Sequence, residues 1–492
     1  MAAGPASAWD STTAHSVDDN WELVVKTSGG PSGDFVVSTQ RPADGSAVVI
    51  DRTFTNDLYA KVSAMPETKG KWGSLNEDEN ENEDFWSMVS GLHFYGTDSA
   101  IYTSLDIDLT ANTTTDASKG SYDLVGFYQA GANNLTIGPA NGEYEGTTNI
   151  SVIGNYDVPT SENQSLAMVV GLLSQADGPL VSELAHVAFN TKTTNIKATA
   201  TSKNLLPIGL AMMSGSHNPV IEFNGDETTI AATSSSGNAI GVWLMQDDWM
   251  GDTNPYYSSH LALVGDKTTI TAEGTDTIGI WATGDNTIDV RSNLTVTVAD
   301  DNYALWFGSE DEARNESSGL SQFFRDIMNS WSREQLGKTT FSVLEGGSAT
   351  LNGKVHFDKS SELLLGGNMT VNGTFTLLGN LDGVPHGNDT VLGNLVLTQG
   401  GTIGAASSAG SLDLTANLAK LAVSGDLTAQ NATINANEFT LENGTLDNLS
   451  AEINGTKATL GNGAKLVNKG GFHYDTIVLG AGSTYCVYSG FN

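Results

Sequence analysis

Three stretches of this chain read alike: residues 228–245 are TTIAATSSSGNAIGVWLM, residues 268–283 are TTITAEGTDTIGIWAT, and residues 294–307 are LTVTVADDNYALWF. Each opens with a Thr-rich, β-branched run that alternates in hydrophobicity, the pattern of a half-buried strand. A polar turn follows, and a short apolar strand closes the unit. Self-similarity of this kind marks a repeat architecture, in which a unit buries its apolar face only against the next one.

The same grammar runs upstream more loosely. It appears in TNIKATATSKNLLPIGLA (194–211), MVVGLL (168–173), LVGFY (124–128) and VSGLHF (89–94). Aligning the small residue of the second strand gives Gly91, Gly126, Gly171, Gly209, Gly241, Gly279 and Ala304. Their intervals are unequal, longest from Gly126 to Gly171 and shortest from Gly279 to Ala304. Neither a strict period nor a helical one is present, which excludes ankyrin-like and tetratricopeptide-like arrays. A propeller blade needs four strands in about 40 residues, and only two clear ones occur here. Constant strands with variable spacing suit a coil whose turns accept insertions. The fold expected is therefore all-β: a right-handed parallel β-helix (solenoid) with loop insertions and one short amphipathic helical insertion.

Alternation assigns faces. Ile240, Val242 and Leu244, then Ile278, Ile280 and Ala282, then Tyr303, Leu305 and Phe307, are expected to stack as interior columns about 4.8 Å apart. The opposite face carries His93, Tyr128, Leu173, Ala211, Trp243, Trp281 and Trp306. Three aligned tryptophans on an outer face must be covered or be exposed for a reason. The segment that follows has apolar residues at Leu320, Phe323, Phe324, Ile327, Met328 and Trp331, spaced by threes and fours, which predicts an amphipathic helix across residues 310–336. Its stripe is expected to lie near Trp281 and Trp306.

These readings divide the chain into an N-terminal cap with an acidic loop (1–88), a coil of long rungs (89–309), the helical insertion (310–337), a narrower Gly/Asn-rich coil (338–480) and a C-terminal end (481–492). The cap candidates are Trp9, Trp21, Phe35, Val36, Val48 and Val49, and the acidic loop is NEDENENED at 76–84. A solenoid needs such a cap because an open rung leaves strand edges bare. In the narrower coil, turns such as LGGNMTVNGTF (365–375) and LENGTLDN (441–448) supply the positive φ that tight corners demand.

The chain of 492 residues carries 22 basic and 57 acidic side chains, a net charge of 22 − 57 = −35. Such a surface repels phosphate backbones, so nucleic acid is not an expected partner, and anionic membrane surfaces are disfavoured too. Cys486 is the single cysteine, so no intramolecular disulfide forms. No apolar run reaches the roughly 18 residues of a membrane helix. The start, residues 1–9, lacks the basic and apolar regions of a signal peptide, so an export leader is expected to lie outside this sequence.

Motifs of catalysis are missing: there is no HExxH, Walker loop, GxSxG, CxxC or calcium loop. The eight histidines are scattered, so no metal and no cofactor is expected. One insertion sets Asp247, Asp248 and Asp252 beside Trp249, Tyr256 and Tyr257. Aromatic faces stack on sugar rings and carboxylates bind their hydroxyls, so these six residues are the candidate ligand-binding set. The same carboxylates would serve a β-helical polysaccharide lyase or hydrolase if a second acid faced them across a groove.

The TTIxAT…AIGIWA rungs followed by short Gly- and Asn-rich coils resemble the passenger domains of autotransporters, the surface proteins of type V secretion. The resemblance covers roughly residues 89–479. It implies a passenger displayed on or beyond the outer membrane of a Gram-negative bacterium, acting in adhesion or self-association. Its implied partners are glycans, host or bacterial surface proteins, or further copies of itself. The antiparallel strands of a translocator barrel do not occur before Asn492, so an outer-membrane barrel is expected beyond this sequence. The protease members of that family carry GDSG, whereas GTDSA stands at 96–100 here, and proteolysis is not expected. A phage tail-spike-like receptor-binding trimer shares the expected fold and is the remaining alternative.

Overall fold

The computed structural model describes residues 23–25, 48–54, 87–95, 99–101, 105–111, 122–130, 134–139, 144–156, 167–175, 184–214, 218–246, 258–299, 301–330, 337–405 and 414–488. The cap candidates Trp9, Trp21, Phe35 and Val36 and the acidic run 76–84 lie outside the described residues. The chain divides into two compact units, Met1–Ile278 and Gly279–Asn492.

In the first unit the strands fall into three parallel ladders visited in rotation. Leu205–Ser214, Asn218–Phe223 and Glu227–Ser234 make one circuit, and Ala239–Gln246 begins the next by pairing with Leu205–Ser214. This is a solenoid-like coil of parallel strands. Along the first ladder Leu92 pairs with Phe127, Leu124 with Val169, Val170 with Ile208 and Ile208 with Ile240. Each of these offsets equals the matching spacing in the series Gly91, Gly126, Gly171, Gly209 and Gly241. Leu23–Val25 and Val48–Phe54 also join ladders, pairing with Ser87–Tyr95 and Leu105–Ala111.

The third ladder explains why the coil must be stacked. Ile107, Ile150, Ile196, Ile230 and Ile270 pair in sequence, and none is more than 1% exposed. Each fully buried isoleucine contributes about 1.5–3 kcal/mol relative to exposure. That gain exists only when rungs lie on both sides, so a lone rung has no stable fold.

Four of the aligned glycines, Gly126, Gly171, Gly209 and Gly279, sit where a Cβ would press on a core side chain. A Cβ on Gly209 would point inward and meet Ile230 Cγ2 at 2.5 Å, and one on Gly171 would meet Ile196 Cγ2 at the same distance. Ladder pairing also skips these glycines: it runs from Ile208–Ile240 directly to Leu210–Val242. The register is the same on both sides of each glycine, so no residue is inserted there. The equivalent place in the second unit is Ala304, where the register shifts between Tyr303 and Leu305. Phe307 packs inward against Phe341 and Phe357, but Tyr303 is only half-buried, beneath Lys354 and beside Gly319. Tyr303 is thus not interior, contrary to strict alternation, whereas Ile240 and Ile278 are wholly buried as expected. Leu244, Leu305 and Phe307 keep their interior place.

The second unit repeats the three ladders and then narrows. Lys354–Phe357, Ser361–Leu365 and Asn368–Val371 make one short circuit, which closes where Val355 pairs with Phe375. From Leu414–Val423 onward the second and third ladders fuse into one bent strand, in which Ala416 pairs with Leu381 and Lys420 with Asn394. Ala432–Leu441, Glu452–Leu460 and Gly471–Leu479 continue it in circuits that are shorter still, with Ala416, Ile434, Ile453 and Phe472 paired in turn. Small turns such as Gly444 at φ 82° and Gly463 at φ 72° close these tight corners, which residues with a Cβ adopt only under strain.

A strap crosses this unit. It comprises helix α1 (Glu310–Arg314), a 3₁₀ turn (Glu316–Ser318) and helix α2 (Gln322–Ser330). Trp331 lies outside the described residues, and over residues 310–330 the single helix expected across 310–336 is therefore two helices. Asn315 breaks it, because its side chain accepts the Ser317 N–H in competition with the helical bond. The strap covers the tryptophans as expected: Phe324 meets Trp281 edge-on at 5.3 Å, and the Trp306 indole donates to the Ser318 carbonyl at 3.5 Å. Both indoles are wholly buried.

Candidate functional site

The outward faces of the ladders carry columns of Asn, Thr and Asp that bond to one another from rung to rung. In the first unit Asn149 donates to Asp106 at 2.6 Å and Asn195 donates to Asn149 at 2.9 Å. The register extends this column to Thr229 and Thr269. In the second unit Asn352 donates to Thr297, Asn372 to Asn352, and Thr398 to Asn372, at 3.0, 2.8 and 3.2 Å. A further column links Asp382, Asn417, Asn435 and Asn454 at 3.1, 2.8 and 3.1 Å.

Parallel in-register pairing produces these columns, because it places the same position of every rung at the strand spacing of about 4.8 Å. A carboxamide has two N–H donors and a two-lone-pair oxygen. Giving one donor and one lone pair to its neighbours leaves the rest of its hydrogen-bonding capacity outside the column. The result is a fixed, repeating row of donors and acceptors on a rigid sheet, suited to an extended partner rich in hydroxyl or amide groups.

A second constellation sits where the strap leaves the coil. Ser309 caps α1: its hydroxyl accepts the Glu312 N–H at 3.2 Å. Ser309 and Glu312 have capping-box spacing, in which the acid would bond back to the cap N–H. Here Asp358 takes that N–H at 2.6 Å, leaving the Glu312 carboxylate free to approach His356 Nε2 at 3.5 Å. His356 stacks on Trp306, with ring centres 5.3 Å apart and planes 12° from parallel. Burial, and then the Glu312 charge, push the Asp358 carboxyl up to about 6.

Asp247, Asp248, Trp249, Asp252, Tyr256 and Tyr257 fall between Ala239–Gln246 and Ser259–Leu263, outside the described residues. Sequence reasoning missed the Glu312, His356 and Asp358 cluster, treating His356 as isolated. The usable signal was the Ser309/Glu312 spacing at the helix start. Among the described residues, no three His, Cys, Asp or Glu side chains are arranged to hold a metal ion. Comparison with family models, with curated proteins and with solved structures gives no match.

Proposed function

We propose that this chain is a right-handed parallel β-helical passenger displayed on a bacterial cell surface, acting in adhesion or self-association. The right hand follows from the strong preference of parallel strand–crossover–strand connections. The bonded Asn/Thr/Asp columns carry the functional reading. They form a rigid, periodic polar surface whose spare donors and acceptors match an extended glycan, a matrix protein or another copy of the coil. Progressive stacking of rungs also suits a chain that folds as it emerges from a membrane, and insertions on a rigid shaft can diversify contacts.

Two measurements test this reading. Cells displaying the chain are expected to aggregate or to bind glycan or matrix, and Asn372→Lys with Asn435→Lys is expected to reduce that binding at least about tenfold, since each inserts an unpaired cation into a column. A monodisperse monomer that binds nothing across a broad glycan and matrix screen, with no aggregation of displaying cells, refutes it.

A further inference from the structure

We propose that the last described rung of the second unit, Gly471–Leu479 with Thr484–Val487, is an interface on which a second copy of this chain stacks its own last rung about a two-fold axis. The inference concerns a different surface from the bonded columns and does not rest on the adhesion reading.

The core is left open at this rung. Val423, Leu441, Leu460 and Leu479 form one inward column through successive rungs. The first three are wholly buried, whereas Leu479 is 56% exposed. Val487 pairs with the buried Asn468 and is 62% exposed. With Val478 and Tyr488, these are the exposed large apolar side chains among the described residues, and all four lie here. A single exposed apolar residue is ordinary, but four gathered on one rung make a patch, and a patch marks a contact.

Both strands of the rung are also edges. Among the described residues Gly471–Leu479 pairs only with Glu452–Leu460, and Thr484–Val487 only with Lys465–Asn468. An open edge presents backbone N–H and C=O groups that another strand can take up. Edges that must stay single are guarded by lysine, proline or a bulge. These two strands contain no lysine, arginine or proline, and Asp475 is their one carboxylate. A bare core column flanked by two unpaired edges is matched by another rung, because strands satisfy the backbone while they cover the apolar centre.

Charge selects a second copy as the occupant. Residues 453–488 carry Lys457, Lys465, Lys469 and Asp475, a balance of 3 − 1 = +2. That leaves 22 − 3 = 19 basic and 57 − 1 = 56 acidic side chains elsewhere, a balance of −37. These residues make up the last two rungs, about 10 Å of coil, and charges beyond a Debye length of about 8 Å are largely screened. Two such ends therefore meet without the repulsion that the acidic remainder imposes. A two-fold axis makes the contact self-complementary and closes it at two copies. Gly471–Leu479 then runs antiparallel to its counterpart.

Sedimentation velocity on the full chain at physiological salt tests this. One rung is a small contact, so the wild type is expected to pass from monomer to dimer across about 1 to 100 µM. Leu479→Lys with Val487→Lys, and separately Leu479→Glu with Val487→Glu, replace exposed side chains and set like charges against each other across the axis. Each pair should weaken dimerisation at least about tenfold, and an equimolar mixture of the two should restore it, since opposite charges then face each other. The two signs of charge keep the test open if one variant fails to fold. Asn372→Lys with Asn435→Lys should leave this dimer intact, so failure of the column reading and failure of this one are told apart. A monomer at every concentration, a dimer untouched by both charged pairs, a mixture of folded variants that stays monomeric, or assembly past two copies overturns the proposal.

Discussion

Gly209→Ala is the sharpest probe of how the coil is built. The new methyl would point into the core, 2.5 Å from Ile230 Cγ2 and 2.6 Å from the Gly241 carbonyl oxygen. A side-chain methyl can move a few tenths of an ångström, but that carbonyl belongs to the backbone of the next rung. Gly209 does not adopt a positive φ, so the cost is steric alone. Overpacking a tight core costs about 1–3 kcal/mol, and a backbone clash sets the expectation at the upper end, about 3 kcal/mol. Gly346→Ala is the control. Its φ is 83° with open space around the added atom, so only the left-handed conformation is charged, about 1 kcal/mol. Urea unfolding followed by far-ultraviolet circular dichroism compares the two. Combining Gly209→Ala with Ile230→Ala should cost less than the sum of the two single changes, because one of the two clashes disappears. If Gly209→Ala proves no more harmful than Gly346→Ala, the glycine does not face inward, and the close approach of neighbouring rungs at this column is wrong.

Other perturbations have defined outcomes. Asp123 is fully buried and accepts the Met168 N–H at 2.6 Å, and desolvation raises its pKa well above the ordinary value. Asp123→Asn should therefore stabilise the chain at pH 7, with an advantage that shrinks on acidification as the wild-type acid gains its proton; a gain that grows toward low pH contradicts this. Phe324→Ala removes the edge contact on Trp281 and should cost about 3–5 kcal/mol of strap closure, read as faster proteolysis within 310–336 and unchanged cleavage elsewhere. Burial raises the Tyr474 hydroxyl, which donates to the Ala436 carbonyl at 3.2 Å. Stability it supports at neutral pH should fade as pH climbs above 10, and Tyr474→Phe should blunt that alkaline loss in thermal melts. Asn435→Ala, which breaks two half-buried links of a column, should lower stability by only about 1 kcal/mol.

Much of the coil could be read without coordinates. Period-two runs such as TTITAE and NLTVTV name their own buried residues, because alternation is a property of a single strand. The glycine spacings anticipated the rung-to-rung offsets, since each repeat must return to the same ladder. The apolar stripe through Phe324 and Met328 announced a cover for tryptophans too large to leave bare. Three features escaped. Strict alternation put Tyr303 inside, and a bulge at the neighbouring small residue turned it outward; a bulge leaves no mark on hydrophobic pattern. Asn315 split the predicted helix through a hydrogen bond that periodicity does not register.

The cluster of Glu312, His356 and Asp358 was beyond reach for a different reason. Glu312 and Asp358 stand far apart along the chain, and what joins them is the pairing of Trp306 with His356 across two rungs. Strand composition, turn chemistry and the spacing of repeats are local properties, written in consecutive residues. Which outward residues align into bonded columns, and which side chains gather at the start of the strap, depends on register between rungs separated by insertions of unequal length. Only the folded stack sets that register.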